Sequence, residues 1–209
     1  MIMKTKIWLI IMAALFFSCE KSKFHDSGLA NGRHDCSVWE YLKSDPMNWD
    51  SLRVAIEYTG LVDVFDGTHP DYGEITCFGP TNISINQFLF KTINDESQML
   101  YQRVADIPLE LCRKMILSHV IPWKIKKEEF DYENKGTLTG GSVMKTLTGK
   151  DLRVYRIKTD YMGIPDIGPE GLAIHALESG HIVRVASADI EMNNGMVHSL
   201  SYSYMWTEL

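Results

Sequence analysis

The 209-residue chain has four cysteines, seven prolines and no surplus of positive charge. Each scarcity removes a class of protein. Beyond Cys19, the thiols Cys36, Cys77 and Cys112 show no CxxC or Cys/His ligand spacing, so neither a structural zinc site nor a disulfide-dense scaffold is expected. One pair among the three can still form. Cys77 and Cys112 lie in apolar segments and read as free, small core residues. A net charge of −6 with dispersed basic residues argues against a nucleic-acid face. The densest basic stretch, Lys124-Ile125-Lys126-Lys127, runs straight into Glu128-Glu129 and reads as solvated surface. A Gly-rich phosphate loop, a nucleophile elbow and an HExxH helix are all missing. With Gly67 set at the sixth position of a calcium loop, Val62 and Val64 fall on ligand positions and Gly73 falls where a bidentate Glu belongs. That motif fails, and Asp66 and Asp71 read as turn residues. No metal and no cofactor is expected.

Long apolar runs are also missing. The one uncharged stretch, Ile7 to Phe17, is shorter than the roughly 20 residues a bilayer span needs. It follows Lys4 and Lys6 and ends in Phe16-Phe17-Ser18-Cys19, a basic region, apolar core and small residue before cysteine. This resembles the bacterial lipobox, with Phe16 where Leu is usual. The resemblance implies a signal peptide over 1–18 and an acylated mature N-terminus at Cys19, bound to the membrane by about 0.8 kcal/mol per buried CH₂. Residues 20–36 are polar and aperiodic and read as a tether of at most about 60 Å. The expected location is the cell envelope, on the outer membrane of a Gram-negative bacterium.

What remains is about 170 residues, enough for one domain with a core. Val38, Trp39, Tyr41 and Leu42 form a short helical face before Asp45-Pro46, and Trp49, Leu52 and Ile56 repeat at helical spacing up to Gly60. Ile75 to Phe78 reads as a strand stopped by Gly79-Pro80, and residues 84–119 as mainly helical. Leu109, Cys112, Ile116 and His119 make one stripe. Val143–Leu147, Leu152–Ile157, His181–Val185 and Met196–Tyr204 read as strands, the last with His198, Leu200, Tyr202 and Tyr204 on one face. Helices early and strands late give the α+β class, with a domain over 37–204 and a C-terminal tail over 205–209.

Four blocks then carry a resemblance. Thr76-Cys77-Phe78-Gly79-Pro80-Thr81-Asn82 is similar to the T-V-F-A-P-T-N signature of the fasciclin domain. Met115 to Ile121, Thr146 to Val154, and Ala188 to Ile190 with Asn194 to His198 follow in that family's order. The resemblance implies a fasciclin-like β-wedge or sandwich with packed helices, acting in extracellular adhesion through protein or glycan contact. Pro80 ends the strand, Thr81 or Asn82 is placed to cap the next helix, and Asn194-Gly195 is placed to supply positive φ for a hairpin. Ser118 stands where the family has the tyrosine of a tyrosine–histidine pair, so that pair's receptor activity is not carried over.

Candidate chemistry is thin. Cys112 and His119 are about 10.5 Å apart along a straight helix, too far for a nucleophile and its base. His119 and His198 read as structural histidines. Asn82-Ile83-Ser84 spells a glycosylation sequon but overlaps the helix-capping turn and reads as structural. Candidate binding positions are the loop residues Tyr72, Tyr161, Met162 and Ile164, in a Gly/Pro-rich surface loop over 161–180 and a turn over 66–73. Trp123 reads as packing where helices meet sheet. The leading expectation is a non-catalytic adhesion or binding module for a surface protein or glycan. The alternatives are an accessory lipoprotein of an outer-membrane glycan or nutrient uptake complex and, last, an enzyme using His119 or His198.

Overall fold

A computed structural model describes residues 32–209; the proposed signal peptide, Cys19 and most of the tether lie outside the described residues. The early helices form where the sequence places start and stop signals. Helix α1 (Val38–Ser44) opens on a Ser37–Glu40 capping box and buries Val38, Trp39 and Leu42. Helix α2 (Pro46–Thr59) starts on proline at its first position and ends at Gly60 in the left-handed region, φ 68°. Arg113 donates to the Thr59 carbonyl at 2.9 Å, satisfying one of the last free acceptors of α2. Helix α3 (Val62–Asp66) leads to strand β1 (Ile75–Gly79), and α4 (Asn82–Lys91) and α5 (Leu109–Leu117) complete the helical half. Cys112 and Ile116 of α5 are buried as expected, whereas Leu109 is exposed, because α5 turns its first residue to solvent.

The strands after β1 are β2 (Val120–Ile121), β3 (Ser142–Lys145), β4 (Asp151–Ile157), β5 (Gly171–Ala176), β6 (Ile182–Met192) and β7 (Gly195–Leu200). Their spatial order is β2-β1-β7-β6-β5-β4-β3, with β1 parallel to β7 and every other pair antiparallel. The α+β class is as expected. Strand β6 bends between two sheets: Ile182–Arg184 pair with β5, and Val185–Met192 pair with β7. Register shifts on either side of Ser187 make the bend, with Asp189 in the left-handed region at φ 61°.

The structure departs from the sequence reading at several points. The expected loop over 161–180 contains β5, whose Leu172, Ala173, Ile174 and Ala176 are buried; flanking glycine and proline masked its apolar run. Residues 32–36 are not tether: Arg33 bridges Glu191, and His34 N donates to the Glu191 carbonyl at 2.8 Å, which covers the edge of β6 beyond the reach of β5. Lys124 is not merely solvated, since it donates to the Met192 carbonyl at 2.6 Å and pairs with Glu191 at 3.1 Å. Residues 205–209 are no free tail, because Trp206 and Leu209 are buried in the core. Strand β7 stops at Leu200, and Tyr202 is exposed in the turn that sends the chain back inward, so it does not share a face with Tyr204.

Asn194 and Gly195 play other parts than positive-φ hairpin residues; neither adopts a positive φ. The Asn194 side chain accepts from Val38 N at 2.8 Å, satisfying the first free donor of α1, and donates to the Phe65 carbonyl at 3.0 Å. Gly195 is required by close approach: a Cβ there would sit 2.6 Å from the Ile75 carbonyl oxygen and 2.7 Å from a Val38 methyl. Gly60 is the useful contrast, with positive φ and nothing within 4 Å. Gly60→Ala is expected to cost about 1 kcal/mol. Gly195→Ala is expected to cost about 3 kcal/mol by forcing β1 from β7. Urea midpoints of the two variants check the order, and equal losses would contradict the close-approach account.

Candidate functional site

The signature residues cluster at the end of β1. Thr76 donates to the Trp123 carbonyl at 2.6 Å and accepts from Ile125 N at 2.9 Å, tying the segment after β2 to the sheet. Phe78 is fully buried and stacks on His198 with ring centroids 5.4 Å apart. Pro80 closes the strand inside the core. The capping expectation does not hold as stated. Thr81 occupies the N-cap of α4, but its hydroxyl makes no cap bond and has no partner among the described residues. Asn82 instead inserts into α2: its oxygen accepts from Ser51 N at 2.8 Å and its amide donates to the Pro46 and Met47 carbonyls at 2.9 Å. With both ends of the amide so engaged, its structural reading stands.

His119 and His198 are both sealed in the core. His119 Nδ1 is 2.6 Å from the Met115 carbonyl, which can only accept, so Nδ1 carries the proton and Nε2 accepts from the Tyr204 hydroxyl at 2.8 Å. Ser118 is buried beside it, donating to Met115 O at 3.0 Å and accepting from Leu209 N at 3.0 Å. The tyrosine missing at position 118 is thus replaced by one arriving from the far end of the chain, a role for Tyr204 that no local motif signals. His198 accepts from Asp189 N at 3.2 Å through Nδ1 and donates from Nε2 to the Ile125 carbonyl at 3.2 Å. Neither ring is open to a substrate.

The candidate loops differ from one another. Tyr72 is half-buried and stacks on His69 at 4.7 Å, so its ring is already in use. The turn between β4 and β5 is the exposed feature: Tyr161 is 56 %, Met162 85 %, Ile164 54 % and Ile167 57 % exposed. Tyr161 and Ile164 exchange two backbone bonds of 3.0 and 2.9 Å around Met162 and Gly163, both at positive φ. Positive φ at both central residues is the type I′ hairpin geometry. Lys135 pins the base of the turn to Asp160 at 2.9 Å and Asp166 at 2.7 Å. Trp123 is 52 % exposed, contrary to the packing role expected of it, because Thr76 holds its backbone while the indole points outward.

A surface groove of about 480 Å³ was not foreseen; it runs between Ile182–Arg184 and the returning segment Ser201–Thr207, with Tyr204 and Met205 in its wall. Asp66 spends its carboxylate on Thr68 N and Oγ1 at 2.9 and 2.7 Å, as a turn residue does. Cys36, Cys77 and Cys112 are free thiols, and burial pushes Cys77 and Cys112 up to about 12.

Burial lowers both histidines to about 4 from the usual 6.5, so the unfolded chain binds their protons more readily than the folded one. Their contribution is therefore complete above pH 6.5 and lost as pH falls towards 4. At about 1.36 kcal/mol per unit, each histidine accounts for roughly 2 to 3 kcal/mol between pH 7.5 and 4.5. Urea denaturation at the two pH values is expected to show that fall, and His119→Gln is expected to flatten it by about half. A pH-independent midpoint would contradict neutral burial.

The fasciclin domain family model matches residues 48–202. No curated protein matches the chain. Among solved structures it is similar to a FAS1 domain pair from the insect cell adhesion molecule fasciclin I, at 13% sequence identity and a TM-score of 0.42, over 82% of this chain and 45% of that one. The match runs through most of the chain, from the first turn of α2 to the residues after β7, and by it the chain belongs to the fasciclin domain family.

Proposed function

We propose that this fasciclin domain is a non-catalytic adhesion or binding module, displayed at the cell envelope through a lipid on Cys19, whose partner is a surface protein or glycan. The observation that carries the binding reading is the Tyr161–Ile167 turn. Its apolar side chains are held out to solvent by a two-bond turn and a Lys135 clamp, although burying them would be favourable by about 25 cal/mol per Å². A rigid exposed apolar tip is suited to contact, with Tyr161 placed to stack on a sugar ring and Met162 and Ile164 to meet a protein. The adhesion-related character of the family supports the same reading. Support for the anchor comes from the basic region and apolar run that end in Ser18-Cys19.

Two experiments test this. The full chain, purified in detergent and screened against glycans and envelope proteins, is expected to bind a partner that a Met162→Glu/Ile164→Ser variant with an unchanged urea midpoint no longer binds. Retained binding by that folded variant removes the turn from the interface. In bacteria fed labelled palmitate, the wild-type chain is expected to carry label and sediment with membranes, and Cys19→Ser to lose both. An unlabelled wild-type chain would sink the anchor while leaving the binding reading intact.

A further inference from the structure

One face of the β3–β6 sheet carries two arginines that have no carboxylate partner among the described residues. Turned away from Leu152, Val154, Ile174 and Val183, strand β4 presents Arg153 and Tyr155, β5 presents Ala173 and His175, and β6 presents Ile182 and Arg184. The register sets Arg153 directly across from His175, and Ala173 between Tyr155 and Arg184. Directly opposed side chains in such pairs have Cβ atoms about 5 Å apart. Arg153 is only 4 % exposed. Its guanidinium lies 4.1 Å over the Tyr155 ring and donates to the Leu138 carbonyl, while its Nε has no partner among the described residues.

Among the described residues no carboxylate comes within ion-pair distance of Arg153 or Arg184. His175 Nδ1 is also buried without a partner. Asp151, two residues from Arg153 on the same face of β4, is taken by Lys145 at 2.8 Å, and Glu133 acts on Tyr155 from a distance. Elsewhere on the same strand the chain does supply a counter-charge: Arg156 has Glu170 at 3.8 Å and the Tyr132 ring at 3.8 Å. Removing a guanidinium from water without a counter-charge is expensive, and Arg153 keeps its Nε unmatched for something else to meet.

We propose that Arg153, His175 and Arg184 form a recessed binding site for a small oxyanion, a carboxylate or sulfate group carried by an acidic sugar or present as a free inorganic ion. The planar fork of a guanidinium matches two oxygens of such a group, and the imidazole adds a third directed donor when its Nδ1 carries the proton. Ala173, between Tyr155 and Arg184, is itself covered, so an anion approaches from the side of half-buried His175 and exposed Arg184. Exposed Val143 and Ile182 stand at the rim, across from Arg153 and His175 respectively, and offer apolar contact to the carbon face of a pyranose. The acidic-sugar source rests on the binding-module reading above; the oxyanion site itself does not.

Calorimetric titration of the full chain in detergent with sodium sulfate, sodium glucuronate and glucose, each at matched ionic strength with sodium chloride, tests the site. Saturable one-site binding of sulfate or glucuronate but not of glucose is expected. Tighter glucuronate assigns an acidic sugar, and sulfate alone assigns a free ion. Arg184→Gln, at an exposed position, is expected to weaken binding about tenfold, the effect of one charged hydrogen bond. Arg153→Met is expected to abolish binding while its urea midpoint stays level or rises, because an uncompensated buried charge is gone. A merely structural Arg153 would instead lower the midpoint. Absence of saturable binding by the folded wild type, or binding indifferent to Arg184→Gln, overturns the proposal whatever Arg153→Met does to folding. Sulfate binding is expected to survive Met162→Glu/Ile164→Ser, which separates this site from the apolar turn.

Discussion

Strand β6 is asked to belong to two sheets, and the rest of the fold is arranged around that demand. Its first residues pair with β5 and its last with β7, and the change of partner is made by extra residues on either side of Ser187. A bulge leaves backbone donors without ladder partners, and a buried orphan is costly. Here the Asp189 N–H is received by His198 from the neighbouring strand, and the Asp189 carboxylate receives Lys127 N at 2.6 Å. The same histidine passes its other nitrogen to Ile125 and lies under Phe78. One neutral imidazole therefore joins β7, the bulge of β6, the segment after β2 and the core side of β1.

A second lock works from the opposite end. The chain after β7 folds back, placing Trp206 against Phe88 and its backbone N–H on the Ser84 carbonyl. Tyr204 and Leu209 then complete the hydrogen bonds of His119 and Ser118. The exchange is steric as well as polar. Serine at 118 is small enough for the returning backbone to reach its hydroxyl, and the hydroxyl of a distant tyrosine fills the place beside the ring. Loss of a local tyrosine is thus compensated by a contact across 85 positions of sequence.

These long-range substitutions mark the limit of what local pattern conveys. Helix ends at Pro46 and Gly60, the strand before Pro80 and the strand over Leu152–Ile157 were legible because caps, proline and alternation act within a few residues. Asn82 was legible as structural, but not its target, since insertion into α2 is fixed by packing 31 positions away. Gly195 was singled out for the wrong physical reason: its need is space against Ile75, which only the parallel β1–β7 pairing creates. Strand β5 was hidden because glycine and proline around it outweighed the short apolar run Leu172-Ala173-Ile174. The Tyr161–Ile164 turn was legible as exposed, whereas the opposition of Arg153 to His175 needs the register of a strand that was not seen.

The division bears on where function can vary. The recognisable blocks are mostly spent on joining β1, β7, α2 and the bend of β6, and their polar atoms are consumed in doing so: Thr76 by Trp123 and Ile125, Asn82 by α2, Asn194 by α1 and α3. Even the Thr146–Gly149 turn is engaged, with Leu147 N on the Val120 carbonyl. Residues whose polar groups are exhausted inside the fold have nothing left to offer a ligand. Among the signature residues Thr81 is the exception, and on β4, β5 and the turn between them the unmatched nitrogens of Arg153 and His175 occur together with the uncovered apolar surface of Met162 and Ile164. The family signature therefore identifies mainly the frame, with Arg153 at the end of the Thr146–Val154 block as its exception, and the chemistry of binding gathers on β4, β5 and the turn between them.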